Sequence, residues 1–250
     1  MRPFKMTLAY DGTNYAGWQI QAGPITIQQT LEEALQKITG TPIRIVASGR
    51  TDAGVHAFGQ VVSFASNTQL SCHDLRKALN ANTPHDLFVR EVASAPDGFH
   101  AIRDAISKRY RYIIQDGLDI DIFSRGFSWH VRSILNESAM QQAATFLIGQ
   151  HDFASFQAAG SERATTIREV TDLSIERKSA ELSDRIVIEI SADGFLYNMV
   201  RNIVGTLVEI GKGQKPADWI KEVLAVKDRR AAGTTAPAQG LFLLSVDYGF

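Results

Sequence analysis

Apolar and polar side chains alternate almost from the start of the chain. Phe4, Met6, Leu8 and Tyr10 share one face of an extended segment, the pattern of a half-buried strand, and a glycine-rich, aromatic loop follows over residues 11–23. Thr26 then stands before Ile27, Leu31, Ala34, Leu35 and Ile38, which recur at helical spacing until Gly40 stops them. Residues 43–46 and 60–64 read as strands on either side of a tight loop, and a helix over 72–81 and a strand over 87–92 complete a β-α-β-β-α-β order. That order predicts a split, ferredoxin-like unit.

Past a polar stretch at 99–107, a strand over 109–114 opens a second half. It continues with a helix over 137–148, strands over 168–175 and 185–190, helices over 195–210 and 217–226, and a last strand over 241–246. No repeat, low-complexity tract or Pro-rich linker separates the halves. The expectation is an α+β chain whose two subdomains, 1–105 and 106–250, join in one continuous sheet.

Composition adds exclusions. With 250 residues, 44% hydrophobic and 21% charged, the chain has ordinary globular content. No apolar run approaches the roughly 20 residues that cross a bilayer. The opening residues read as a strand and not as a signal peptide, so no membrane contact and a cytoplasmic location are expected. Cys72 is the one cysteine, and the six histidines are scattered, so neither an internal disulfide nor a metal site is expected. The 26 basic and 27 acidic side chains nearly cancel, so a polyanion would have to be held by a local patch.

The candidate chemistry lies in Gly49-Arg50-Thr51-Asp52-Ala53-Gly54-Val55-His56-Ala57, where two glycines present a carboxylate and a guanidinium between apolar strands. Two readings stand side by side: Asp52 is a turn residue bonded to its own backbone with Arg50 as a surface ion-pair partner, or it is a working carboxylate. Arg201, inside a mostly apolar helix, either pairs with a carboxylate, for which Asp52 is the candidate, or extends from the helix edge to solvent. Tyr110 and Tyr112 fall on one strand face. They are core residues, or their segment, Lys108-Arg109-Tyr110-Arg111-Tyr112, grips phosphates and stacks on a base.

The 49–57 segment resembles the signature of the TruA-type tRNA pseudouridine synthases, and the likeness extends along the chain. It includes Tyr10-Asp11-Gly12-Thr13-Asn14-Tyr15-Ala16-Gly17-Trp18-Gln19, Lys108-Arg109-Tyr110-Arg111-Tyr112 and Asp152-Phe153-Ala154-Ser155-Phe156. Further matches run over residues 195–205 and in Ala236-Pro237-Ala238-Gln239-Gly240-Leu241. The resemblance implies two ferredoxin-like α/β subdomains on one central, mostly antiparallel sheet, with a cleft between them. It also implies a homodimer that acts without cofactor or metal on uridines 38, 39 and 40 of the tRNA anticodon stem-loop.

By the same resemblance, Asp52 is the nucleophile and Arg201 its charge partner. Tyr110 contacts the uridine and assists proton transfer, Leu241 lines the uracil pocket, and Arg50 holds the flipped-out nucleotide. Lys108, Arg109, Arg111, Arg163 and Arg168 are candidates for phosphate contact. One departure stands out: where relatives often carry Phe-x-Ala-Arg, this chain has Phe99-His100-Ala101-Ile102-Arg103, so that arginine contact is lost or moves to Arg103. His56 falls outside the catalytic set, because a loop histidine more often satisfies backbone hydrogen bonds.

Three rival readings remain. A non-catalytic RNA-binding protein on this scaffold would be expected to lack the carboxylate at position 52, and a metal-dependent hydrolase would need a second carboxylate cluster near it. A synthase of the same family with another RNA target position is the closest rival.

Overall fold

The computed structural model describes residues 1–158, 160, 165–179 and 184–249. By its internal contacts the chain divides into two units, Met1–Ile106 with Phe242–Phe250, and Ser107–Leu241.

In the first unit, β1 (Arg2–Tyr10) leads through α1 (Ile27–Thr39) to the short β2 (Val46–Ala47) and the long β3 (His56–Ser66), then α2 (Cys72–Asn82) and β4 (Leu87–Ser94). The strands lie in the order β4-β1-β3, with β2 on β3, and every one of these pairs is antiparallel. This is the strand order of a split β-α-β unit, as the residue pattern predicts. The alternation in β1 is the reason: Phe4, Met6 and Leu8 have no exposed surface, whereas the intervening residues remain partly open. Leu31 and Leu35 of α1 and Leu75 and Leu79 of α2 are also fully buried, each contributing roughly 1.5–3 kcal/mol of apolar burial. Thr26 caps α1 by accepting the Gln29 N–H at 3.3 Å, and Gly40 ends the helix at φ 74°.

The unit is completed from the far end of the sequence. From Phe242 onward β10 (Leu241–Asp247) runs parallel to the start of β3, placing Phe242 opposite His56 and Leu243 opposite Ala57. Gly59 permits the contact, since a Cβ there would lie 2.3 Å from the Leu244 carbonyl oxygen.

The second unit contains β5 (Ser107–Asp116), β6 (Trp129–Val131), α3 (Glu137–Thr145), β7 (Gly149–Asp152), β8 (Ile167–Lys178), β9 (Arg185–Ala192), α4 (Met199–Gly211) and α5 (Trp219–Val226). Its strand order is β5-β9-β8-β7, antiparallel throughout, with β6 attached in parallel to β5. Both units therefore have the expected mixed α+β, mostly antiparallel character. Helix α4 is buried along nearly its whole length, and α3 packs against it and against β8. It starts at Met199 and not at 195, because Asn198 takes a left-handed conformation with φ 58°, which a helix cannot include, so the helix begins only after it.

Among the described residues no helix is long and apolar enough to cross a membrane.

Candidate active site

Asp52 and Arg50 lie in the first unit, on the loop between β2 and β3. A turn shapes the apex: the Val55 N–H donates to the Asp52 carbonyl at 3.1 Å, and Gly54 supplies the positive φ of 76°. Asp52 is half-buried and Arg50 is exposed.

The loop is fastened on several sides. The Trp18 N–H donates to the Thr51 carbonyl at 2.9 Å, and the Gln60 side-chain amide donates to the Gly49 carbonyl at 2.8 Å. Tyr10 and Thr51 join hydroxyl to hydroxyl at 2.8 Å. Gly12 presses against the other flank, where a Cβ would stand 2.1 Å from the Val55 carbonyl oxygen, a distance no side chain tolerates. The Gly12 N–H donates to His56 Nδ1 at 3.0 Å, and Asp11 Oδ1 stands 3.1 Å from the same nitrogen. His56 is buried and its ring stacks on Phe242 at 4.8 Å, so it fastens the glycine-rich loop to β3 as a backbone-bonding histidine does. Burial pushes the Tyr10 phenol up to about 12, with Thr51 and Gln60 opposing, so the hydroxyl is neutral at working pH.

Tyr110, Arg201, Leu241, Lys108, Arg109, Arg111 and Arg168 belong to the second unit. Tyr110, on β5, is 8% exposed and meets Phe195 edge to face at 5.0 Å. Arg201, on α4, is half-buried and held at two points: Nε donates to the Ala236 carbonyl at 2.7 Å and Nη1 to Asn198 Oδ1 at 3.0 Å. The left-handed Asn198 thus sets where the helix begins and holds its arginine. The 236–241 segment is moored in turn by Tyr112, whose hydroxyl donates to the Pro237 carbonyl at 2.7 Å and whose ring leaves room only for glycine at 240. Burial raises the Tyr112 pKa, and the Arg201 charge offsets part of that rise. Leu241, at the end of this segment, is buried.

The basic residues do not form one group. Strand alternation puts Lys108 on the Tyr110 side of β5 and turns Arg109 and Arg111 to the other side. There both arginines clasp Glu189, the cross-strand neighbour of Arg111 on β9. Burial would raise the Glu189 pKa, but Arg111 and Arg109 outweigh it and leave the carboxylate lowered. Arg168 lies on β8 and donates to the Thr165 carbonyl at 3.2 Å. Arg103 donates to the Gly98 carbonyl at 2.7 Å and to Asp104 at 3.0 Å. Arg163 lies outside the described residues.

Sequence reasoning missed the residues that brace these groups: Gln60, Tyr10 and Thr51 under the loop, and Asn198 beside Arg201. Gln60 carried a readable signal, being an amide in the apolar stretch Gln60-Val61-Val62 of a strand. A polar group there needs a buried partner.

Residues 6–104 and 143–249 match the family model described as tRNA pseudouridine synthase. The chain is 45% identical over 248 residues to the tRNA pseudouridine synthase A of Thermoanaerobacter sp. (strain X514), covering 99% of this chain and all of the relative. It is 43% identical to the enzymes of that name from Geotalea uraniireducens, with 99% and 100% covered, and Limosilactobacillus reuteri, with 100% and 98% covered. The chain belongs to the tRNA pseudouridine synthase family, and is an isomerase that acts on tRNA.

Proposed function

We propose that this enzyme converts uridine to pseudouridine at positions 38, 39 and 40 of the tRNA anticodon stem-loop, with Asp52 as its nucleophile and a base flipped out of the stack. The observation that carries the reading is the Asp52 loop, a half-buried carboxylate at the apex of a turn tied at Gly49, Thr51, Val55 and His56. Such rigidity suits a group that must meet one carbon atom.

The reaction breaks the bond from ribose C1′ to uracil N1, turns the uracil, and joins C5 to C1′. The C5 proton is lost and N1 gains one, so no atom enters or leaves overall. A carboxylate can trap the electron-poor C1′, or act as a base at the neighbouring 2′ carbon, without a cofactor or a metal. In this reading Arg201 keeps Asp52 ionised, and its fixed guanidinium suits that role. Tyr110, braced by Phe195, contacts the uracil and assists the proton step, while Leu241 lines the pocket. Arg50, exposed beside Asp52, holds the extruded nucleotide, whose unstacking costs a few kcal/mol. Lys108, Arg109, Arg111 and Arg168 contact phosphates. At Arg109 and Arg111 a phosphate must compete with Glu189.

We place the enzyme in the cytoplasm as a homodimer. The exposed apolar side chains Leu118, Ile122 and Phe123 of the second unit give a second copy something to cover.

Asp52→Asn should abolish pseudouridine formation and keep tRNA binding within about tenfold. Turnover by that variant, scored by mapping pseudouridine in a tRNA transcript, would overturn the nucleophile assignment. The same map tests the target positions. Wild-type activity should survive EDTA.

A further inference from the structure

Beneath the Asp52 loop lies a buried polar cluster to which the reaction assigns no part. Tyr10, Ser48, Thr51 and Gln60 are each at most 6% exposed. Ser48 Oγ donates to Gln60 Oε1 at 2.7 Å. The Gln60 amide donates to the Gly49 carbonyl at 2.8 Å and lies 3.5 Å from the Tyr10 hydroxyl, which in turn meets Thr51 Oγ1 at 2.8 Å. The chain of contacts runs from one side of the loop to the other and ends on the residue next to Asp52.

Hydroxyls and amides are costly to bury, and apolar side chains of the same shape would serve stability as well or better. Apolar packing, however, lets a backbone slide by fractions of an ångström, whereas hydrogen bonds weaken steeply once their length or angle departs from a narrow range. Here they act on Ser48, Gly49 and Thr51, the backbone that leads into Asp52. The Asp52 side chain, half-buried at the apex, inherits its position from that backbone.

We propose that Tyr10 and Gln60 are positioning residues for the pseudouridine-forming step: by holding Thr51 and Gly49 they set the Asp52 carboxylate at the point where it meets the flipped ribose. The inference rests on the reading of Asp52 as nucleophile. Both side chains are buried, so they act on kcat and leave KM for tRNA alone. A misplacement of about 1 Å at the reacting group is enough to lower turnover by about 100-fold.

The test uses the full-length enzyme and an unmodified tRNA transcript, with Tm, KM and kcat measured for Tyr10→Phe, Thr51→Ser, Asp52→Asn and the double variant Tyr10→Phe/Thr51→Val. Removing one hydroxyl strands its partner, whereas removing both leaves a matched apolar pair with a Tm near wild type. The expected result for the double variant is a kcat at least about tenfold lower with KM within about twofold, while Thr51→Ser, which keeps the hydroxyl, turns over as wild type does. Recovery of kcat together with Tm in the double variant would reduce the cluster to a structural role and overturn the proposal, as would a loss confined to KM. Gln60→Met, which deletes the bond to Gly49 at similar volume, gives the same reading should the double variant fail to fold. An active Asp52→Asn would remove the underlying nucleophile reading, whereas an inactive Asp52→Asn beside a fully active double variant would sink only this inference.

Discussion

Tyr10, Tyr15, Tyr112 and Tyr248 all hold their hydroxyl protons more tightly than a solvated phenol, in each case chiefly because burial disfavours the phenolate. At Tyr15 the hydrogen bond to Asp86, 2.6 Å long, adds to the effect. Tyr10 is raised to about 12, whereas an unfolded tyrosine ionises near 10. Between those values the folded state binds more protons than the unfolded state. The stability they support is therefore complete below pH ~10 and falls as pH rises from there towards 12. Alkaline titration followed at 295 nm and by circular dichroism should show tyrosinate from these residues appearing together with unfolding. Ionisation of all of them near pH 10 in an intact fold would contradict it. Asp116 responds at the opposite end of the scale. Burial pushes its pKa up, but two hydrogen bonds from Arg177, at 2.7 and 2.8 Å, and one from the Leu135 N–H outweigh this and leave it lowered. Its contribution is present above the unfolded pKa near 3.9 and is lost as pH falls through the folded value. Asp116→Asn should lower stability by about 2–4 kcal/mol at pH 7, with the gap from wild type closing in acid denaturation curves as pH falls towards 3.

Elements with a long period were legible in the sequence, and those defined by distant partners were not. The alternation of Phe4, Met6 and Leu8 and the cap-and-stop pair Thr26 and Gly40 announce β1 and α1. The short β6 and β7 carry too few residues to show any period; they exist because β5 and β8 offer them backbone partners. At the candidate site, the turn at 52–55 was readable from Asp52 and Gly54. The clasp of Arg109 and Arg111 on Glu189 was not, because only the β5–β9 register brings Arg111 and Glu189 together. Two glycines separate a local element defect from a site defect. Gly40→Ala imposes a left-handed conformation on alanine at the end of α1, with nothing nearby for its Cβ to meet, and should cost about 1 kcal/mol while leaving turnover unchanged. Gly12→Ala drives a Cβ into the Val55 carbonyl and should cost about 1–3 kcal/mol while also lowering kcat. Parallel thermal melts and single-turnover assays check both; an unaffected kcat for Gly12→Ala would mean that the loop tolerates displacement.

Over the whole molecule, 26 basic and 27 acidic side chains leave almost no net charge for capturing RNA, so the grip must come from local faces, and two copies can combine theirs. On the proposed homodimer, with copies meeting at the apolar surface around Phe123, which is 80% exposed, Phe123→Asp should shift the sedimentation-velocity profile from dimer to monomer with the Tm preserved. A wild-type sedimentation profile for that variant would exclude this surface. The pairing of β10 with β3 also bears on how the molecule is made. A ribosome delivers residues 1–106 first, yet the edge of β3 at His56 and Ala57, next to the Asp52 loop, waits for Phe242 and Leu243. The unit synthesised first is thus finished last, and the nascent chain carries its candidate nucleophile beside an unsealed strand until the intervening unit has been translated.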